Sequence, residues 1–98
     1  MPTFDKTRRF ERDLDRLSAD QKLLFKKAVE GFVEDLRSSP STFRKGLRVK
    51  GVRGARGVFE MTWDNDGRAT FEYGDPVQAD EPHIIWRRIG THTILKEP

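Results

Sequence analysis

Cysteine is absent from the 98-residue sequence, and histidine occurs only twice. Without cysteine, neither disulfide bonds nor thiolate zinc sites can form. His83 and His92 are nine residues apart, which is not metal-ligand spacing on one strand. The sequence also lacks a phosphate-binding glycine loop, an H-E-x-x-H motif and a nucleophile elbow. These absences argue against the common metal and nucleotide sites, and we expect a protein that needs no cofactor.

Long apolar runs are missing as well. No stretch approaches the roughly 18 apolar residues of a membrane span, and the first ten residues carry charges where a signal peptide has an apolar core. We therefore expect a cytoplasmic protein with no membrane partner. The length predicts a single domain over residues 1–98, since neither an internal repeat nor a long linker interrupts the sequence.

Positive charge is concentrated in one segment of the chain. The formal net charge is +3, which permits an acidic partner without requiring one. The stretch from residue 44 to residue 56 contains no acidic residue, and its basic residues are Arg44, Lys45, Arg48, Lys50, Arg53 and Arg56. The first 37 residues instead interleave both signs, as the solvated face of a helix does. The basic segment either binds an anionic partner or only keeps a loop soluble.

The N-terminal third predicts two helices that pack as a hairpin. From Thr7 to Leu17, apolar residues at positions 10, 14 and 17 form one stripe, and Thr7 is a plausible cap. Ser18 begins a second helix, with Gln21 three residues later as the partner in a capping box. This helix has a wide apolar stripe that runs to Leu36, and we expect it to end at residues 38–40, before the proline.

The second half of the sequence has the period-2 pattern of strands. The segments 58–63 and 68–73 alternate on either side of the hairpin turn 64–67, and a further strand runs over 83–89. Gly90 is expected to bend the chain, and the tail 91–95 to continue extended. Two helices followed by strands predict an α+β fold, a helical hairpin packed on a twisted antiparallel sheet of about four strands.

The residues that could carry chemistry are cations and one histidine. Cleaving RNA without a metal requires cations around a phosphate and groups that transfer protons. Arg68, the pair Arg87-Arg88 and the basic segment could supply the cations. His92 is the candidate for proton transfer, because histidine is the residue type whose unperturbed side chain titrates near neutral pH. Strand alternation places Arg87 and Arg88 on opposite faces, so at most one of them would reach a shared site. Each residue also has a structural interpretation: a solvated strand edge for Arg68, and a structural histidine for His92. Core packing is the simpler role for both tryptophans.

Four motifs in order resemble the RelE/ParE toxin superfamily. They are LRVKG at 47–51, GVFEM at 57–61, GRATFEY at 67–73 and IWRRIGTH at 85–92, and they follow the two predicted helices. In that superfamily a helical hairpin precedes strands with similar motifs, and the last motif resembles the R-x-G-T-H ending of YafQ-like members. The similarity spans nearly the whole chain and implies a RelE-like fold.

The resemblance also implies an activity. Such proteins are toxins of type II toxin–antitoxin systems, and many are metal-independent, ribosome-dependent endoribonucleases that cleave mRNA. The expected partners are therefore a cognate antitoxin protein, the ribosome and mRNA. Two other functions stay open: a ParE-like inhibitor of DNA gyrase, and a non-catalytic binding module of the same fold.

Particular residues carry over by their positions in the motifs. His92 matches the active-site histidine of YafQ-like members and would protonate the departing 5′-oxygen. Arg68 and Arg88 match arginines that steady the phosphate. The RNA-backbone contacts would come from Lys45, Arg48, Lys50, Arg53, Arg56 and Arg87. The general base has no clear match, and Glu60 and Glu72 are candidates because they share the polar faces of the strands.

Overall fold

Both helices begin where the sequence supplies a side-chain cap. In the computed structural model, which describes residues 2–38 and 42–98, α1 spans Arg8–Asp15 and α2 spans Ala19–Leu36. Oγ1 of Thr7 accepts a hydrogen bond from the backbone N–H of Phe10 at 3.1 Å. Ser18 and Gln21 form the expected capping box. The two predicted helices are confirmed; the expected stop at residues 38–40 includes Ser39 and Pro40, which lie outside the described residues.

The sheet has five strands and is mixed, so the prediction of about four antiparallel strands was wrong. Its strands are β1 (Thr3–Lys6), β2 (Lys50–Gly51), β3 (Val58–Thr62), β4 (Gly67–Gly74) and β5 (His83–Thr91). Their spatial order is β1-β5-β4-β3-β2, with β1 parallel to β5 and every other pair antiparallel. The sequence did not predict the short β1, because its apolar residues do not alternate with polar ones. Its backbone pairs with that of β5, about 80 residues later in the chain.

The hydrophobic core lies between the helices and one face of the sheet. Phe32 of α2 is fully buried, with its ring centroid 5.0 Å from Phe71 of β4 and 5.4 Å from Trp86 of β5. Phe10 of α1 meets the same tryptophan at 6.0 Å. Trp63 is also buried, so both tryptophans belong to the core as expected. Aromatic packing of this kind dominates the stability of a small domain.

An extra residue in β5 changes the alternation of that strand. Phe71 pairs with Trp86 and Thr70 pairs with Arg88, so Arg87 has no partner of its own and forms a β-bulge. Trp86 and Ile89 are both buried although they are three residues apart. The bulge interrupts the alternation of side chains between Arg87 and Arg88, so the expectation that they lie on opposite faces was wrong. Both side chains reach the C-terminal segment.

The chain after β5 turns into a short 3-10 helix rather than a further extended segment. Gly90 lies inside β5, and residues His92–Lys96 form the helix, with Thr91 as its cap. Ile94 is buried against the sheet, and its Cγ2 lies 3.0 Å from the place where a Cβ of residue 90 would be. Glycine therefore serves close packing here and not a bend. No helix among the described residues is long and apolar enough to cross a membrane.

Candidate functional site

A cleft of about 560 Å³ opens between α2 and the turn that joins β3 to β4. A 3-10 turn, Lys45–Leu47, forms a third side. Its cationic lining residues are Lys27, Arg44, Arg48 and Arg68, and its only acidic lining residue among the described ones is Asp64. The volume lies within the range of small-ligand sites, and the charge suits an anion.

Arg48 enters this cleft from an uncommon backbone conformation. Its φ and ψ angles are 47° and 45°, in the left-handed region, directly after the 3-10 turn. That conformation costs a residue with a Cβ roughly 1–2 kcal/mol. Such positions are concentrated at functional sites, where the surrounding structure maintains them. Among the described residues, Arg48 has neither an ion-pair nor a hydrogen-bond partner for its side chain, so its guanidinium is available to a ligand.

Arg44 is held against α2 by the carboxylate of Asp35, and its guanidinium lies where Gly31 has no side chain. Its Nε and Nη2 donate to the two carboxylate oxygens of Asp35 at 2.8 and 2.9 Å, and its backbone N–H donates to the same group at 2.9 Å. Hydrogen bonds from Arg44 lower the pKa of Asp35 to about 2. A Cβ on Gly31 would lie 3.0 Å from the guanidinium, so glycine makes room for it. These contacts fix the basic segment to α2 and so shape one side of the cleft.

His92 and Asp66 form a side-chain pair next to Arg68. Nδ1 of His92 donates to Oδ1 of Asp66 at 2.5 Å, because a carboxylate can only accept. The strand register explains the meeting: Gly67 pairs with Thr91 and Arg68 with Gly90, so the β3–β4 turn lies beside the end of β5. The pKa of Asp66 is lowered, first by the hydrogen bond from His92 and further by the charges of His92 and Arg68.

This pair has a chemical consequence for the imidazole. With Nδ1–H engaged by Asp66, Nε2 is the nitrogen that can exchange a proton with a ligand. A carboxylate that fixes the tautomer and orientation of a histidine is a recurring element of catalytic sites. Arg68 is oriented too, since its Nη1 donates to the carbonyl oxygens of Asp64, Asn65 and Gly67 at 3.4, 3.3 and 2.9 Å. The β3–β4 turn and the end of β5 thus bring an imidazole and a guanidinium close to each other.

The structure does not bring Arg88 to the cleft. Its Nε and Nη2 donate to the carboxylate of Asp13 on α1 at 2.7 and 3.1 Å, and its Nη1 donates to the carbonyl oxygen of Glu97 at 3.2 Å. Asp13 also accepts from the backbone N–H of Ile89 at 3.2 Å. The side chains of Arg88 and Asp13 are only 15% and 7% exposed. The hydrogen bonds that Arg88 donates to Asp13 raise the pKa of Arg88, and all three nitrogens of its guanidinium are engaged.

Arg87 is also paired with a carboxylate, that of Glu72, which is one of the two candidates for the general base. Nη1 of Arg87 donates to Oε2 of Glu72 at 2.5 Å, and its Nε donates to the carbonyl oxygen of Pro98 at 3.1 Å. The second candidate, Glu60, is buried, and its carboxylate lies 4.0 Å from Nζ of Lys50. Neither glutamate is among the residues that line the cleft.

The other predicted RNA-binding residues are exposed but do not line the cleft. Lys45 lies in the 3-10 turn, and Arg53 and Arg56 lie in the loop between β2 and β3. Of the basic segment, therefore, only Arg44 and Arg48 line the cleft. Within the described ranges, no group of three or more His, Cys, Asp or Glu side chains could hold a metal ion.

Three solved toxin structures resemble the fold over nearly its whole length. YafQ from E. coli strain BL21(DE3) matches with a TM-score of 0.69 at 12% identity, over 97% of this chain and 98% of YafQ. A chain of the RelB–RelE antitoxin–toxin complex from Methanococcus jannaschii matches with a TM-score of 0.62 at 16% identity, over 95% of both. The YoeB/ParE toxin from Agrobacterium tumefaciens matches with a TM-score of 0.64 at 11% identity, over 92% of this chain and 98% of that one.

The chain has the fold of the RelE/ParE toxin superfamily. This confirms the expected α+β, RelE-like architecture. No protein-family model matches the sequence, and no curated protein has a significantly similar sequence. At identities this low the RelE/ParE likeness concerns the fold, so residue roles must be argued from the geometry described above.

Two residues of the candidate site were not identified from the sequence. Asp66 was interpreted only as a turn former, because its partner His92 is 26 residues away. Lys27 was one of many charges on a solvated helix face. The antiparallel register of the last two long strands could have found Asp66, since it places the 64–67 turn beside the G-T-H motif. No pattern in the sequence distinguishes Lys27 from its neighbour Lys26.

Proposed function

We propose that this chain is the toxin of a type II toxin–antitoxin system and that it cleaves mRNA on the ribosome without a metal ion. The observation that carries the proposal is the His92–Asp66 pair beside Arg68, which itself lines the basic cleft although the pair does not. When the ribose 2′-oxygen of RNA attacks the adjacent phosphorus, an oriented imidazole can transfer a proton and nearby cations can stabilise the phosphate. A gyrase inhibitor or a simple binding module would have no use for the oriented imidazole.

In the proposed reaction, the ribose 2′-oxygen attacks the adjacent phosphorus while the bond to the 5′-oxygen breaks. The 2′-hydroxyl proton passes to water, and Nε2 of protonated His92 donates its proton to the departing 5′-oxygen. Asp66 keeps the ring oriented by accepting the hydrogen bond from Nδ1. Arg68, with Arg48 beyond it in the cleft, stabilises the charge that grows on the phosphoryl oxygens. Arg88 acts at a distance from the phosphate in this scheme, by holding β5 to α1.

The partners follow from the same proposal. A relative of this fold was crystallised as a RelB–RelE antitoxin–toxin complex, and a disordered acidic segment of an antitoxin would neutralise the exposed basic residues here. The substrate would be ribosome-bound mRNA in the cytoplasm. Exposed cations outside the cleft, Lys45, Lys50, Arg53 and Arg56, are then contacts for the RNA backbone.

Cell-free translation of a defined mRNA, with 5′ ends mapped by primer extension, tests the proposal. The wild type should produce new ends only when ribosomes are present. His92→Ala should lower the cleavage rate by about 10²–10⁴. Asp66→Asn should lower it as well, because a neutral amide can donate as well as accept and no longer fixes the tautomer of the ring. His83→Ala is the matched control. Nδ1 of His83 forms a hydrogen bond with Oγ1 of Thr3 at 2.7 Å, at the end of β5 that is distant from His92.

Two outcomes would contradict the proposal. Cleavage by His92→Ala at the wild-type rate would remove the imidazole from the reaction. No cleavage by folded wild-type protein would reject the nuclease altogether, and inhibition of DNA gyrase supercoiling would then be the activity to measure.

A further inference from the structure

The α2 side of the cleft presents four residues in one line. Leu24, Lys27, Ala28 and Gly31 are spaced at i, i+3, i+4 and i+7, which places them on one face of the helix over two turns. This face lies across the cleft from Arg48 and the β3–β4 turn. Its residues were not part of any predicted site.

The apolar part of this line is open to solvent. Leu24 is 42% exposed, at the edge of a helix face whose other large apolar residues are buried or half-buried. Ala28 has only a methyl group as its side chain, so the wall beside Leu24 is low at that point, whereas Gly31 is covered by the guanidinium of Arg44. A small apolar wall of this shape fits one face of a planar ring.

The charged part of this line has no acid to neutralise it. Within the described residues, Lys27 forms neither an ion pair nor a hydrogen bond through its ammonium group, and the same is true of the guanidinium of Arg48 opposite. Arg44, by contrast, is already bound to Asp35. The cleft therefore offers two available cations, Lys27 within the α2 wall and Arg48 on the opposite side. That arrangement suits a nucleotide unit of RNA, in which a base with flat apolar faces projects from a ribose that carries a phosphate on either side.

We propose that the α2 wall is a subsite for one nucleotide of single-stranded RNA next to the cleaved bond. Its base packs on Leu24 and Ala28, and its flanking phosphates contact Lys27 and Arg48. The subsite rests on the proposed function for its place in the reaction, because Arg68 lines the same cleft as Leu24 and Lys27. An acidic peptide is a weaker fit, since no strand edge lines the cleft to receive its backbone.

Two pairs of charge-matched variants test the subsite. Leu24→Glu is compared with Leu23→Glu, and Lys27→Glu with Lys26→Glu. Each pair changes the net charge equally on the same helix, but only Leu24 and Lys27 line the cleft. Leu23 is 67% exposed. The probe is a fluorescein-labelled, single-stranded hexanucleotide with 2′-O-methyl riboses, which resists cleavage, and its dissociation constant is measured by anisotropy at several salt concentrations.

The cleft variants should weaken binding about tenfold more than their controls. Lys27→Glu should also lower the slope of log K against log salt by about 0.7, the contribution of one phosphate on a single strand. A probe with an abasic site at the bound position should bind the wild type more weakly. Leu24→Ala, a milder change that keeps a good helix former, should bind the abasic and intact probes nearly equally.

Equal effects of cleft and control variants would overturn the subsite, and mRNA cleavage by the wild type would then leave the proposed function standing. If binding shows the expected differences but the wild type cleaves no mRNA, the subsite stands and the nuclease fails. A hexaglutamate peptide that binds the wild type and is lost in Leu24→Glu, with no binding of the RNA probe, would also overturn the subsite.

Discussion

The cations of the β5 bulge and those of the cleft differ in what surrounds them. Arg87 and Arg88 each have a carboxylate, Glu72 and Asp13 respectively. Lys27 and Arg48, in the described part of the chain, have none. In the sequence all four look alike, as basic residues among polar ones. They differ only in the folded protein, which places acidic side chains next to Arg87 and Arg88 and none next to Lys27 and Arg48 among the described residues.

The difference assigns the two groups to different tasks. Arg88 and Asp13 are nearly buried, so removing either would leave an uncompensated charge in a region of low dielectric. Those residues therefore tie α1 to β5 and help to fold the domain. Lys27 and Arg48 contribute little to folding, since an exposed charge without an acidic partner does not stabilise the folded state. They remain available to a ligand.

The largest effect is expected from breaking the buried pair. Asp13→Ala should lower the free energy of unfolding by about 3–5 kcal/mol, because it leaves Arg88 without its acceptor and frees the N–H of Ile89. Urea unfolding followed by circular dichroism measures this. Arg9→Ala is the control: its partner Glu97 is exposed, and the change should stay within about 1 kcal/mol.

A double variant sharpens this prediction. Asp13→Leu with Arg88→Met replaces both charges with apolar groups and should recover most of the lost stability. A stability of Asp13→Ala close to that of the wild type would contradict the division of the cations into two groups.

A smaller effect of a different kind is expected in the cleft. Arg48→Gly should lower binding of the hexanucleotide about tenfold while leaving the free energy of unfolding unchanged or raising it by up to about 1 kcal/mol, because glycine adopts a φ of 47° without strain. Arg48→Ala should lose the same affinity without the gain in stability. Loss of stability in the glycine variant would show that Arg48 has a folding role after all.

How much the sequence could predict depends on the distance between partners. The caps at Thr7 and Ser18 act within three residues, and the sequence predicted both. The pairing of β1 with β5 and the meeting of Asp66 with His92 join distant segments, and both were missed. The bulge at Arg87 was missed for another reason: alternation was assumed to be unbroken, and the assumption holds only where a strand and its partner have equal numbers of residues.

A third prediction concerns Thr70, which lies opposite Arg88 on the neighbouring strand. Its side chain is fully buried, and its hydroxyl has no hydrogen-bond partner among the described residues. Thr70→Val keeps the shape and removes the unpaired group, so it should raise the free energy of unfolding by about 1 kcal/mol. Thermal unfolding measures the change, and a lower melting temperature would show that the hydroxyl is satisfied.

The smallest effect is expected at Arg44, the one cleft cation with a carboxylate partner. The pKa of Asp35 is lowered to about 2 by hydrogen bonds from Arg44. A lowered pKa stabilises the folded state above the ordinary value near 4, and this contribution is lost as the pH falls toward 2. Asp35→Asn should therefore be less stable than the wild type at pH 6, and the gap should close between pH 4 and 2. A gap in the urea midpoint that stays constant with pH would contradict this.

The bulge in β5 also affects how sequences of this fold can be compared. Residue 87 adds one position to β5 that the neighbouring strand β4 does not match. A relative whose last strand is regular has one residue fewer at this point, so an ungapped alignment pairs core positions with surface positions on one side of it. Correct correspondence then requires a single-residue gap at Arg87. The G-T-H motif beyond the bulge must be aligned separately from the apolar residues before it.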